Sequence, residues 1–130
     1  MNRLLVIGGR ADVSGGHYWG GLAVIADGKI DMSGGLLSTS LVITAGNNGV
    51  ITFHGSDFAV DGQSVDYGEL TSLFGMDYVY EPIRHLTGTL LDGRRIDNDF
   101  RIGNNAKIIL IPEPATLLFL GFGALMLRKL

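Results

Sequence analysis

Short apolar runs broken by glycine fill the first sixty residues, and they repeat. At an offset of 19, Leu4–Gly16 falls on Ala23–Gly35, so that Asp12-Val13-Ser14-Gly15-Gly16 lies on Asp31-Met32-Ser33-Gly34-Gly35. Val50-Ile51-Thr52-Phe53-His54-Gly55-Ser56 is a third copy, 21 residues after the second, and the two extra residues fit the Gly46-Asn47-Asn48-Gly49 turn. Alternation with a period of two assigns the faces. Ala11, Ile30 and Ile51, then Val13, Met32 and Phe53, form inward apolar columns. Asp12, Asp31 and Thr52, then Ser14, Ser33 and His54, form outward polar columns.

Each period therefore holds two short strands joined by glycine turns, with Gly15, Gly34 and Gly55 at a corner that favours positive φ. Equivalent residues stacked about 4.8 Å apart bury a core that no single repeat could bury. The predicted fold is mainly β: a short right-handed parallel β-solenoid of about three coils over residues 1–60. A glycine-rich antiparallel meander is the alternative. Residues 4–16 align with the middle of a repeat, so the sequence predicts that the chain is the C-terminal part of a longer exported protein.

The period is lost after Phe58. Residues 61–111 read as a polar and aromatic loop, with a helical turn near Glu69–Phe74, followed by a capping meander. Its strands are His85–Leu91, Arg94–Ile102 and Ala106–Ile111; Asp92-Gly93 joins the first two as a primed hairpin turn, and Gly103-Asn104-Asn105 is a second turn. In residues 112–130, Pro112-Glu113-Pro114 precedes thirteen uncharged residues, Ala115 to Leu127, and the basic pair Arg128-Lys129. As a helix this run spans about 20 Å, short of the roughly 30 Å of bilayer hydrocarbon. A core helix is the other reading, but nothing polar is spaced to make the run amphipathic.

Composition narrows the function. Up to Pro114 the chain carries 8 basic and 13 acidic residues, a net of −5 that excludes a nucleic-acid surface. The absence of cysteine removes disulfides, thiol catalysis and cysteine metal sites. Met1–Arg10 has too short an apolar stretch for a secretory signal, which needs roughly 7–15 residues.

Candidate chemistry is sparse. His54, Ser56 and Asp57 are near one another, without the glycine frame of a nucleophile elbow. Asp12 and Asp31 stack outward like paired glycosidase carboxylates, but Arg10 and Lys29 can neutralise them. Asp97-Asn98-Asp99 departs from an EF-hand loop: Gly103 is one position late and Ile108 stands where the closing Glu belongs. The Gly-Gly pairs frame no phosphate loop. No cofactor or metal is expected. Tyr18 and Trp19, in a glycine-flanked loop, are the candidate sugar contact.

The tail carries a family resemblance. Pro112-Glu113-Pro114, Ala115-Thr116, a glycine-containing apolar helix and a basic end resemble the PEP-CTERM sorting signal over residues 111–130. The resemblance implies recognition of Pro112, Glu113 and Pro114 by an exosortase-type enzyme. It implies transient insertion in the inner membrane through Ala115, Leu117, Leu118, Phe119, Leu120, Phe122, Leu125, Met126 and Leu127, with Arg128 and Lys129 as the basic stop. It further implies a cell-surface or extracellular destination, association with extracellular polysaccharide or biofilm, and a body without catalytic activity. The Leu86–Gly93 stretch and the Ser-Gly-Gly periods are similar to the repetitive bodies of that family. The basic pair is shorter than that family's usual cluster, and its signal peptide is missing.

Overall fold

The computed structural model describes residues 3–19, 21–38, 42–70, 84–103 and 105–112. The tail from Glu113 to Leu130, with every membrane-helix residue named above, lies outside the described residues, as does the stretch 71–83.

The described residues form eleven strands: β1 (Arg3–Ile7), β2 (Arg10–Tyr18), β3 (Gly21–Ile25), β4 (Lys29–Leu37), β5 (Val42–Ala45), β6 (Val50–Val60), β7 (Gln63–Ser64), β8 (Gly68–Glu69), β9 (Arg84–Leu90), β10 (Arg95–Ile102) and β11 (Lys107–Pro112). They build two parallel ladders. One runs β1-β3-β5-β10 and the other β2-β4-β6-β11. Consecutive strands of a repeat thus sit in different ladders, and the pairing across repeats is parallel, unlike that of a meander.

The predicted columns are present and one rung longer. Ala11, Ile30, Ile51 and Ile108 are in register, as are Val13, Met32, Phe53 and Leu110. The other ladder contributes Leu4, Leu22, Ile43 and Phe100, then Val6, Val24, Ala45 and Ile102. Apart from the half-buried Ala11, these residues pack as a single core, with Leu4 and Val6 half-buried at its margin.

The turns explain the stacking. Gly8 and Gly9, Ala26 and Asp27, Asn47 and Asn48, and Asn105 all adopt positive φ. Gly28 N–H donates to Ile25 O, Gly49 to Gly46 O and Ala106 to Gly103 O, closing three successive turns. Adjacent turns are bonded in series, Lys29 N–H to Gly9 O, Val50 to Gly28 O and Lys107 to Gly49 O. Asn and Asp tolerate this left-handed geometry because their short side chains bond locally.

The register corrects several expectations. β1 meets β3 at an offset of 18, Leu4 opposite Leu22, because Ile7 and Arg10 are separated by one residue fewer than Ile25 and Lys29. The two extra residues of the third repeat precede β5, since Val24 pairs with Ala45 and Lys29 with Val50 at the same offset of 21. Ser14 lies opposite Gly34, not Ser33: a bulge ejects Ser33, whose hydroxyl donates to Val13 O at 3.4 Å. Thr52, expected outward and solvated, is buried in mid-ladder between Asp31 and Ile109 in register.

Positive φ falls on Gly16 and Gly35, one residue after the predicted corner. Gly34 and Gly55 are required for close approach instead: a Cβ would stand 2.5 Å from Ser14 O and 2.0 Å from Thr89 O, respectively.

The meander is also revised. β9 and β10 do form the hairpin, but Asp92 keeps negative φ and only Gly93 (φ 87°) is left-handed. That is a type I turn with a glycine bulge, not a primed turn. β11 does not pair with β10; it continues the second ladder beside β6 and is flanked by β8, which takes Glu69 of the predicted helical turn, while residues 71–74 of that turn lie outside the described residues. Asp92 fastens the hairpin tip to the stack, accepting from Gly35 N–H at 2.8 Å and from Arg94 N–H at 2.9 Å.

Candidate functional site

On the outer surface of the β2-β4-β6 ladder an open groove of about 370 Å³ is lined by Arg10, Asp12, Val13, Ser14, Asp31, Ser33, His54 and Leu91. Parallel register makes it. Arg10, Asp12, Asp31 and His54 come from three repeats, and the chain's β periodicity turns them to one face. Leu91 arrives from the hairpin tip that Asp92 anchors.

Asp31 is the hub. Arg10 Nη2 lies 2.7 Å from its Oδ2, and His54 Nε2 is 3.1 Å from its Oδ1. Arg10 Nε also reaches Asp12 at 3.1 Å. One guanidinium therefore bridges both carboxylates that the sequence placed in a column. Among the described residues Arg10 performs this neutralisation and Lys29 does not. Such a pair of carboxylates, spanned by a permanent cation, is a poor acid and base couple for glycoside hydrolysis, which needs one protonated member.

The imagined Ser-His-Asp arrangement is not assembled around Asp57. The carboxylate partner of His54 is Asp31 on the neighbouring strand, while Asp57 (φ 55°) projects at the bulge where β6 meets β9. Ser56 lies opposite Thr89 of β9.

A second cluster sits on the hairpin. His85 is opposite Asp99 in the β9–β10 register. Its Nδ1 is 2.8 Å from Asp99 Oδ1, and its Nε2 bonds Asp97. The hydrogen bond to Asp99, then that to Asp97, raises the imidazole pKa above 6.5, and a doubly bonded ring is the imidazolium. Asp61 closes the cluster, accepting from Arg84 Nη1 and from His85 N–H, each at 3.0 Å. The carboxylates considered for calcium are thus engaged by a cation of the chain. Asn98, between them, points inward, buried, and donates to Ser38 O at 2.7 Å. The sequence carried a signal for this cluster: Asp-x-Asp facing a histidine across a hairpin.

Tyr18 and Trp19 are not brought together as a platform. Tyr18 is half-buried against the core, whereas Trp19 is 52% exposed. The ring partner of Trp19 is His17, edge-on at 4.4 Å, and His17 Nε2 is 3.4 Å from Ser38 Oγ. Pro112 closes β11 opposite Gly55 in register; Glu113 and Pro114 lie outside the described residues. Among the described residues no helix is long and apolar enough to cross a membrane.

No protein-family model, curated protein or solved structure matches this chain.

Proposed function

We propose that this is an exported, non-catalytic structural protein of the cell surface or extracellular matrix, delivered by a C-terminal sorting signal. Its body is a short right-handed parallel β-solenoid to which β10 and β11 add a fourth coil. The observation that carries the sorting role is the sequence layout of the tail: Pro112-Glu113-Pro114, then the apolar run, then Arg128-Lys129. The body fits a scaffold role because its polar clusters are self-satisfied: Asp31 by Arg10 and His54, and His85 by Asp97 and Asp99.

In this reading Pro112, Glu113 and Pro114 are recognised by an exosortase-type enzyme, and the apolar run holds the chain briefly in the inner membrane. The test expresses the chain behind a signal peptide in a host with an exosortase and follows size and location. Processing lost with Glu113→Ala supports the assignment; unchanged processing and release remove Glu113 from it.

A carbohydrate-binding module is the second reading, favoured by the exposed indole of Trp19 and the polar groove. Glycan-array binding abolished by Trp19→Ala would establish it. A remnant polysaccharide lyase or hydrolase is the third. It requires turnover of acidic polysaccharide that falls when Asp31 becomes Asn.

A further inference from the structure

The last rung of the stack and the proposed sorting motif share a residue. Pro112 ends β11 and stands opposite Gly55 of β6. Gly55 is paired on its other side with Leu90 of β9, so Leu90, Gly55 and Pro112 form one row across three strands. β8 lies along the far edge of β11 at Ile109 and Leu110. Lys107 N–H donates to Gly49 O, and strand alternation turns the amides of Ile109 and Ile111 towards β6 in the same way. Leu110 is buried in the core. The chain is therefore bonded and packed up to the residue at which the motif begins.

On the membrane side there is as little slack. Only Glu113 and Pro114 separate Pro112 from the apolar run, and the three steps from Pro112 to Ala115 span at most about 11 Å when extended. An enzyme that reads a segment of chain needs backbone on both sides of it, and processing enzymes act where that backbone is exposed and unpaired. A strand held in mid-sheet has its donors and acceptors committed.

We infer, on the sorting reading of the tail, that the folded body restrains its own processing: the exosortase-type enzyme takes the motif only after Ile111 and Pro112 have left β6. The rate of processing then follows the fraction of chains in which the end of β11 is open. Seating β11 in the last rung slows processing and lengthens the stay at the membrane, whereas a chain whose last rung is not yet formed is processed without restraint.

A spacer tests this. Gly-Ser-Gly-Ser inserted between Ile111 and Pro112 carries the intact motif up to about 14 Å clear of the ladder. The same four residues placed ahead of Met1, behind the signal peptide, are the control. In a host with an exosortase the spacer should shorten the half-time of processing roughly tenfold, and the control should leave it unchanged. Leu110→Ala, which loosens β11, should speed processing of the chain with native spacing and leave the spaced chain unchanged. Complete unfolding by that substitution gives the same result, since an unfolded chain is not restrained. In the purified full chain, held in mild detergent, the Ile111 amide should exchange at least about tenfold more slowly than in the denatured chain. Equal processing with and without the spacer, or an Ile111 amide exchanging at the denatured rate, would overturn the restraint and leave the sorting reading standing. Processing of none of the chains would remove the sorting reading, and the restraint with it.

Discussion

Among the described residues, the end of the stack that β9 and β8 flank (closed) and the end at β1 and β2 (open) are made from the same repeat and pack differently. At the closed end β9 presses so near β6 that Gly55 has room for no side chain, and Gly88 has Phe58 in the place of its own. At the open end Gly15, the sequence counterpart of Gly34, has nothing within 4 Å. Equivalent positions of the repeat thus carry glycine under different constraints. Near β9 it is close approach; at Gly15, which keeps an ordinary φ and has open space beside it, neither close approach nor backbone geometry requires a glycine.

The largest effect that would sharpen this contrast lies in one column. Phe100→Ala at the closed end should cost about 3–5 kcal/mol in urea unfolding, while Leu4→Ala in the same column should cost about 1–2 kcal/mol, since Leu4 is only half-buried. Equal losses would mean that the open end is as tightly packed as the closed one.

The glycine series comes next. Gly55→Ala should destabilise by about 3 kcal/mol, because backbone must move to admit the methyl; Gly34→Ala should fall below it and Gly15→Ala should lie within about 0.5 kcal/mol of wild type. A flat series would show that β9 yields freely.

Asp92 ties the hairpin tip to β4, in the middle of the stack, through Gly35. Asp92→Ala should cost about 1–2 kcal/mol and increase hydrogen exchange at the Gly35 amide, with Asp92→Asn intermediate.

The smallest effect is a pH dependence confined to the hairpin. The folded pKa of His85 is raised, so its pairing with Asp99 and Asp97 contributes fully below about 6.5 and is lost as pH rises through the folded value. Asp61 and Arg84 are the other charged groups beside it. Unfolding midpoints of wild type should therefore fall, relative to His85→Gln, between pH 5.5 and pH 9; parallel profiles would show that the imidazolium contributes nothing.

The β class, the two-strand repeat and the inward columns Ala11-Ile30-Ile51 and Val13-Met32-Phe53 were legible because period-two alternation fixes register locally up to Val13, before the bulge. The fourth rung was not. Val42 meets Asp99 at an offset of 57, and the long excursion through β7, β8 and β9 conceals the period. The trace that survives is the shared Gly-Asn-Asn of residues 46–48 and 103–105, which repeats at that same offset. The Arg10-Asp31-His54 cluster was half legible: its residues stood in adjacent outward columns, but the arginine bridge depends on rotamers that spacing does not specify. Tyr18 and Trp19, adjacent in sequence, looked like a unit; the end of β2 divides them between core and solvent.

That offset of 57 also orders events in time. The first three rungs join residues 18 to 21 apart, loops short enough to close early during a folding reaction. The last rung must await a far longer loop, one that also carries the β6–β9 pairing. Rate-limiting closure should therefore be carried by Phe100, Ile102, Ile108 and Leu110, whose substitution slows refolding, whereas changes at Leu4 or Val13 chiefly hasten unfolding. The chain assembles like a spring wound from one end and latched last at the other.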